Sequence, residues 1–166
     1  MFVSKSKKSG MGMVEIIVAS SIISITLLVL VSVYSAVARY SVANVLTLKA
    51  TQLSEEGVEV LKYLKDSGYT ENLASLTLGD TYHLYWDVNV GGGSWTATTS
   101  NILLEDKYEI DFVLYPVYRD SNFDVVSSGG TVDPDSLRAV VNVIWHQYGS
   151  TNTKTKETYL FNIFDN

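Results

Sequence analysis

The chain has 166 residues, 46% of them hydrophobic, which is the size and apolar content of one domain with its own core plus a short additional segment. Twelve Lys and Arg stand against eighteen Asp and Glu for a net charge of −6, and because Lys5, Lys7 and Lys8 all precede Gly10, the remainder carries −6 minus 3, or −9. An acidic body excludes a nucleic-acid partner, which requires clustered cations, and the absence of cysteine excludes disulfides and thiol chemistry.

The three N-terminal lysines lead into an apolar segment. From Met13 to Ala38 there are 26 residues whose only charge is Glu15. As a helix rising about 1.5 Å per residue this stretch is roughly 39 Å long, enough to cross a bilayer core of about 30 Å with tilt. The next basic residue is Arg39, so the positive-inside bias puts the N-terminus in the cytoplasm and the bulk of the chain beyond the membrane. One reading is a secretory signal peptide with a small-x-small cleavage site at Ala36-Val37-Ala38, but the apolar run exceeds the roughly 7 to 15 residues of such a core. Another is a plain anchoring helix, in which Glu15 sits near the cytoplasmic face, where a carboxylate costs less than at mid-bilayer.

A third reading accounts for the glutamate. "KKSGMGMVEII", Lys7 to Ile17, resembles the class III leader of type IV pilins and pseudopilins: a short basic leader, a glycine, a hydrophobic residue and a glutamate at the fifth mature position. Gly10 matches the last leader residue, Met11 the new N-terminus and Glu15 the fifth-position glutamate; cleavage after Gly12 would put Ile17 fifth, so the pattern selects Gly10. The resemblance implies cleavage by a prepilin peptidase, N-methylation of Met11 by the same enzyme, and a Glu15 that meets the N-terminal amine of an adjacent subunit during assembly. Physical chemistry supplies a parallel reason. A carboxylate in hydrocarbon needs a partner, and cleavage after Gly10 creates an amine four residues away, cationic near neutral pH. Many major pilins carry a proline about twenty-two residues into the mature chain; here that position is Ser32, and no proline precedes Pro116. Ser20, Ser21, Ser24, Thr26 and Ser32 either bring helices into close contact or bond to their own backbone carbonyls.

The helical pattern continues beyond the apolar run. Ala38, Val42, Val45, Leu46, Leu53, Val60, Leu61 and Leu64 fall largely on one face, with Lys49, Glu55, Glu56, Glu59, Lys62 and Lys65 mostly on others, and Asp66-Ser67-Gly68 marks a stop. The period then changes to two. Thr81 to Val90 alternates, with Tyr82, Leu84, Trp86, Val88 and Val90 on one side, and Tyr108, Ile110, Phe112 and Leu114 repeat the alternation. Leu137 to Gln147 and Thr158 to Phe164 do so again, joined by the polar "YGSTNTKTK" as an antiparallel hairpin. "SSGGTVDPDS" punctuates the strands, with Pro134 at a turn. The expected fold is α+β: a long N-terminal helix, transmembrane in its first half and amphipathic in its second, packed on a C-terminal antiparallel β-sheet. Its divisions are a cleaved leader over 1–10, a transmembrane and assembly helix over 11–38, its amphipathic continuation over 39–67 and a globular β-domain over 68–166.

The stretch "YPVYRDSNFDVVSSGGTVDPDSLRAVVNVIWHQYG", with "KETYLFNIF" and the helical "LSEEGVEVLKYLKD", is similar to minor pilins described as type IV pilus modification proteins and to the minor pseudopilin I of type II secretion.

Candidate chemistry is sparse. Asp120-x-Asn122-x-Asp124 begins like a calcium loop, but Val125 follows where glycine belongs and Thr131 stands at the twelfth position, where a bidentate glutamate belongs. A looser oxygen site with Asp133 and Asp135 competes with a solvated Asx-rich turn, which is the better expectation. His83 and His146 lack metal-ligand spacing, and His146 is expected to face solvent or a neighbouring subunit. Tyr82, Tyr85, Tyr108, Tyr115, Tyr118 and Tyr148 are expected mainly in the core, an exposed subset serving a subunit interface or an adhesive surface. The expectation is a non-enzymatic pilin subunit without cofactor or metal, whose partners are the prepilin peptidase/N-methyltransferase, other pilin or pseudopilin subunits and membrane lipid. It resides in the cytoplasmic membrane and then in a periplasmic or extracellular filament. The alternatives are a type II secretion pseudopilin, or an anchored or tip-located β-domain acting as an adhesin or binding module.

Overall fold

The computed structural model describes residues 11–88, 92–105 and 107–163 and divides between Val45 and Leu46 into two compact units. Helix α1 spans Met11–Tyr69 and contributes to both. In the first unit its side chains are solvent-exposed nearly all round, with Leu28 and Val31 at 69% and 63%. The continuous apolar composition forbids an amphipathic solution, and the helix is long and apolar enough to cross a membrane.

In the second unit α1 turns one-sided. Leu46, Ala50, Leu53, Leu61 and Leu64 are buried at spacings of three, four and eight residues, while Glu55, Glu56, Glu59 and Lys62 stay in solvent. Ala38, Val42 and Val45, expected on the packed face, are exposed instead, because the buried stripe begins only at Leu46. There the Tyr108 hydroxyl donates to the Leu46 carbonyl at 3.4 Å. The expected stop is found: Gly68 leaves the helical region at φ 153°, a conformation that disfavours a Cβ. Asn72 Nδ2 closes the end by donating to the Leu64 carbonyl at 2.9 Å, and a π-helical turn follows over Thr70–Ala74.

Among the described residues seven strands form one antiparallel sheet: β1 (Thr81–Asp87), β2 (Ser94–Thr98), β3 (Leu103–Leu104), β4 (Tyr108–Arg119), β5 (Val125–Val126), β6 (Thr131–Gln147) and β7 (Ser150–Phe161). The main order is β2-β1-β4-β6-β7, with the short β3 and β5 pairing to β4. On the face toward α1, Tyr82, Leu84, Ile110, Phe112, Leu114, Ala139, Val141 and Val143 are buried against the helical stripe, and Leu160 is the one buried residue of β7. The α+β arrangement is therefore as expected, a long helix packed on an antiparallel sheet.

Three local expectations are corrected. "YGSTNTKTK" is not a long turn: β7 already begins at Ser150, and only Tyr148 and Gly149, both at positive φ, lie outside the two paired strands, giving a two-residue hairpin connection. Pro134 marks no turn but lies inside β6, where Pro116 pairs with Leu137 and the adjacent Val117 with Asp133, so Pro134, Asp135 and Ser136 bulge out of the β4 pairing. Trp86 and Val88 share the face of Leu84 by parity yet are exposed, because β4 pairs with β1 only through Thr81–His83 and its support ends there. Val90 and Phe164, expected in the same strands, lie outside the described residues.

Candidate assembly surface and polar clusters

Glu15 stands in the first turns of α1, exposed, and is the sole charged residue from Gly12 to Ala38. Gly10 lies outside the described residues, and the backbone of Met11 is helical. The hydroxyl side chains of this stretch point back along their own helix: Ser21 donates to the Ile17 carbonyl at 2.7 Å, Ser24 to Ser20 at 2.8 Å, Thr26 to Ile22 at 2.8 Å and Ser32 to Leu28 at 2.8 Å. Of the two roles open to these residues, backbone self-bonding is the one seen. It leaves a surface of apolar side chains interrupted by one carboxylate.

The face of the sheet opposite α1 carries a polar row that the strand alternation alone did not single out. His83, Asp111, Asn142 and Thr155 stand side by side on β1, β4, β6 and β7. Thr155 Oγ1 donates to Asn142 Oδ1 at 2.8 Å, and Asn142 Nδ2 donates to Asp111 Oδ1 at 2.8 Å. His83 is buried with Nδ1 3.5 Å from Glu109 Oε1. Burial holds the Asp111 carboxyl above the usual carboxylate range and the nearby Glu109 adds to this, while the Asn142 hydrogen bond and His83 oppose it. The available signal was polar Asp111 and Asn142, each flanked by apolar residues in its strand; their alignment needs the strand register. His146, as expected, is exposed, with Nδ1 3.0 Å from Thr151 Oγ1.

The acidic loop is organised by Arg119. Its Nε donates to Asp133 Oδ2 at 2.5 Å, its Nη1 to the Phe123 carbonyl at 2.8 Å and its Nη2 to Ser136 Oγ at 3.3 Å. Asp133 also accepts from Ser136 Oγ at 2.6 Å, and these bonds hold its carboxyl below the usual range. Asp120 Oδ1 accepts the backbone N–H groups of Asn122 and Asp124 at 2.8 and 3.0 Å, the geometry of an Asx turn. These carboxylates are committed to protein donors, and among the described residues no group of three or more His, Asp or Glu side chains is disposed to hold a metal ion.

A groove of about 630 Å³ lies between the end of β4, β5 and the outer face of β6 and β7, lined by Tyr118, Val125, Arg138, Glu157 and Tyr159 among others. Arg138 Nη1 pairs with Glu157 Oε2 at 3.0 Å, and its guanidinium lies 4.6 Å from the centre of the Tyr115 ring. Tyr82 and Tyr108 are in the core as expected, whereas Tyr115, Tyr148 and Tyr159 are exposed.

Comparison of the chain with protein-family models, with curated proteins and with solved structures finds no match.

Proposed function

We propose that this chain is a structural subunit, most simply a minor pilin, of a type IV pilus or a related filament. The observation that carries the reading is Glu15, the lone carboxylate on an exposed apolar helix of membrane-spanning length, five residues after Gly10. In this reading a prepilin peptidase cleaves after Gly10 on the cytoplasmic side and methylates the amine of Met11. The single-pass precursor waits in the cytoplasmic membrane with lipid around α1, then enters a periplasmic or extracellular filament through that helix.

Apolar surface left in water costs about 25 cal/mol per Å², so the exposed first part of α1 requires lipid or other helices around it. Glu15 inside either environment requires a compensating cation, and the Met11 amine of the same or an adjacent subunit supplies one, which sets the axial register of each incoming helix. Assembly, rather than catalysis, is the role. A type II secretion pseudopilin would use the same helix in the same way.

The outer groove with its Arg138–Glu157 pair and exposed Tyr159 favours a second reading, an anchored or tip-located binding module. Intact-mass and N-terminal analysis of the protein from its host membranes separates the anchored form from the pilin, and ligand binding by residues 39–166 is what would support a tip-located module. A chain that begins at methylated Met11 supports the pilin; one that keeps Met1 supports the anchored module, and one that begins at Arg39 refutes both.

A further inference from the structure

The sheet of the second unit ends in two unlike edges. Among the described residues, β7, 12 residues long, pairs only with β6, and β2, 5 residues long, pairs only with β1. Half of the backbone N–H and C=O groups of each edge strand point away from its partner, a template for another strand. Exposed edges are ordinarily guarded by shortness, proline, bulges or charge. β7 is long, contains no proline and keeps an unbroken register with β6, so its guard is charge: Lys154 and Lys156, on the side of the sheet that α1 covers.

A lysine guard is selective. It repels a like edge and accepts one that presents carboxylates. Lys156 already demonstrates the reach, because its Nζ meets Glu55 on the near flank of α1. The far flank of the same helix offers a matching site beside β2: Glu56, Glu59, Val60 and Tyr63 line a shallow groove of about 290 Å³ with Trp95. Glu56 and Glu59 are exposed, Glu59 already 2.8 Å from Lys62 Nζ so that Glu56 is the more available carboxylate, and Lys154 is exposed. The indole of Trp95 provides a surface for a lysine stem and its ammonium.

Strand direction decides which copy-to-copy arrangement can use both edges. Successive pairs in β2-β1-β4-β6-β7 are all antiparallel, so with five strands β2 and β7 run the same way. Placing one copy beside another without turning it over therefore brings β7 alongside β2 in parallel, with the Leu46–Tyr69 parts of α1 pointing the same way. Joining two β7 edges into one sheet with α1 on a common face would reverse one helix and set Lys154 and Lys156 against their own copies. We infer that β7 of one copy adds in parallel to β2 of a second copy of this chain, with Lys154 over Glu56 and Glu59 beside Trp95. Such a contact is heterologous and does not close on itself, so it repeats along an assembly. As a lateral contact between filament subunits it rests on the pilin reading, but the edge chemistry can be scored separately.

The natural absence of cysteine makes that scoring direct. A tagged full-length Thr153→Cys chain is co-expressed with an untagged Thr96→Cys chain in the host and oxidised mildly in intact membranes and sheared filaments; both positions lie on the face of the sheet away from α1, and Lys154, Glu56 and Glu59 are kept. Asn152→Cys, on the opposite face of β7, replaces Thr153→Cys as the control. Thr153 is exposed and Thr96 and Asn152 are only partly buried, so the fold is kept. A disulfide-linked mixed dimer at least tenfold more abundant than in the control is expected. A yield no greater than the control, or a Thr153→Cys homodimer that dominates, would overturn the inference. Processing after Gly10 is read by mass on the same samples, so an unprocessed chain would fail the pilin reading while the disulfide still decides the edge contact.

Discussion

The backbone of Gly57 on α1 lies so close to Val141 on β6 that a methyl group at Gly57 would stand 2.9 Å from Val141 Cγ1 and 3.4 Å from Ile110 Cγ2. The helix can approach the sheet this closely because glycine presents no side chain at the centre of the buried stripe. Alanine at this position gains about 1 kcal/mol of helix propensity but meets an overpacking cost of about 1 to 3 kcal/mol, since a β-branched valine cannot swing aside. Gly57→Ala is expected to lower stability by about 1 kcal/mol, and Gly57→Leu by considerably more, in denaturant unfolding of the detergent-solubilised chain. A stabilised Gly57→Ala would show that the helix has room to lift.

Asp111 makes the fold pH-dependent in the less common direction for a carboxylate. Its pKa in the folded chain is raised by burial, so the folded state binds this proton more tightly than the unfolded chain does. Its contribution is most favourable below the ordinary carboxylate value of 3.8 and declines as pH rises through that value toward the raised one, above which the whole penalty is present. Asp111→Asn keeps a partner for Asn142 and removes the charge. Melting curves are expected to place the variant at or above the parent near neutral pH, with the gap closing in acid; a variant less stable at every pH would contradict this account.

Asp133 behaves oppositely. Its pKa is lowered by Ser136 and Arg119, so its stabilisation is present above the ordinary carboxylate value and is lost as pH falls through the depressed one. Arg119→Met removes the guanidinium bonds to Asp133, Ser136 and the Phe123 carbonyl while the Ser136–Asp133 bond remains, and an expected loss of about 1 to 3 kcal/mol follows from the partners left unmade. Proteolysis within the Asp120–Asp124 loop should accelerate alongside. Unchanged cleavage would place the loop's order elsewhere.

Glu15→Gln tests the proposed assembly role without touching the buried residues of the second unit. The substitution removes a charge from an apolar helix, so membrane insertion is expected to be retained or improved. Filament incorporation, read by sedimentation of sheared filaments and immunoblotting, is expected to fall at least tenfold. Normal incorporation would remove Glu15 from the assembly mechanism.

Core truncation sets the scale for these effects. Leu61 and Phe112 are fully buried where helix and sheet meet, and Leu61→Ala or Phe112→Ala should cost about 3 to 5 kcal/mol. A loss below about 1 kcal/mol at either position, in the same unfolding measurement, would mean that the helix is not held by this contact.

Several features of the chain were legible from residue order because they depend on near neighbours. The apolar run around Glu15, the one-sided stripe from Leu46 to Leu64, the break at Gly68 and the alternation of Tyr108 to Leu114 are local patterns, set by 3.6-residue and two-residue periods. Tertiary structure decided which of those faces is covered. Trp86 has the parity of Leu84 but lies beyond the β4 pairing, and Val42 and Val45 have the character of core residues but precede the buried stripe. Pro134 reads as a turn in isolation and is instead held in a bulge of β6, where the Tyr69 hydroxyl donates to its carbonyl at 3.3 Å. The row from His83 to Thr155 joins residues on four strands, and only the strand register brings them together. Periodicity determines the direction of a side chain relative to its own backbone, whereas burial and hydrogen bonding depend on what non-local pairing places in that direction.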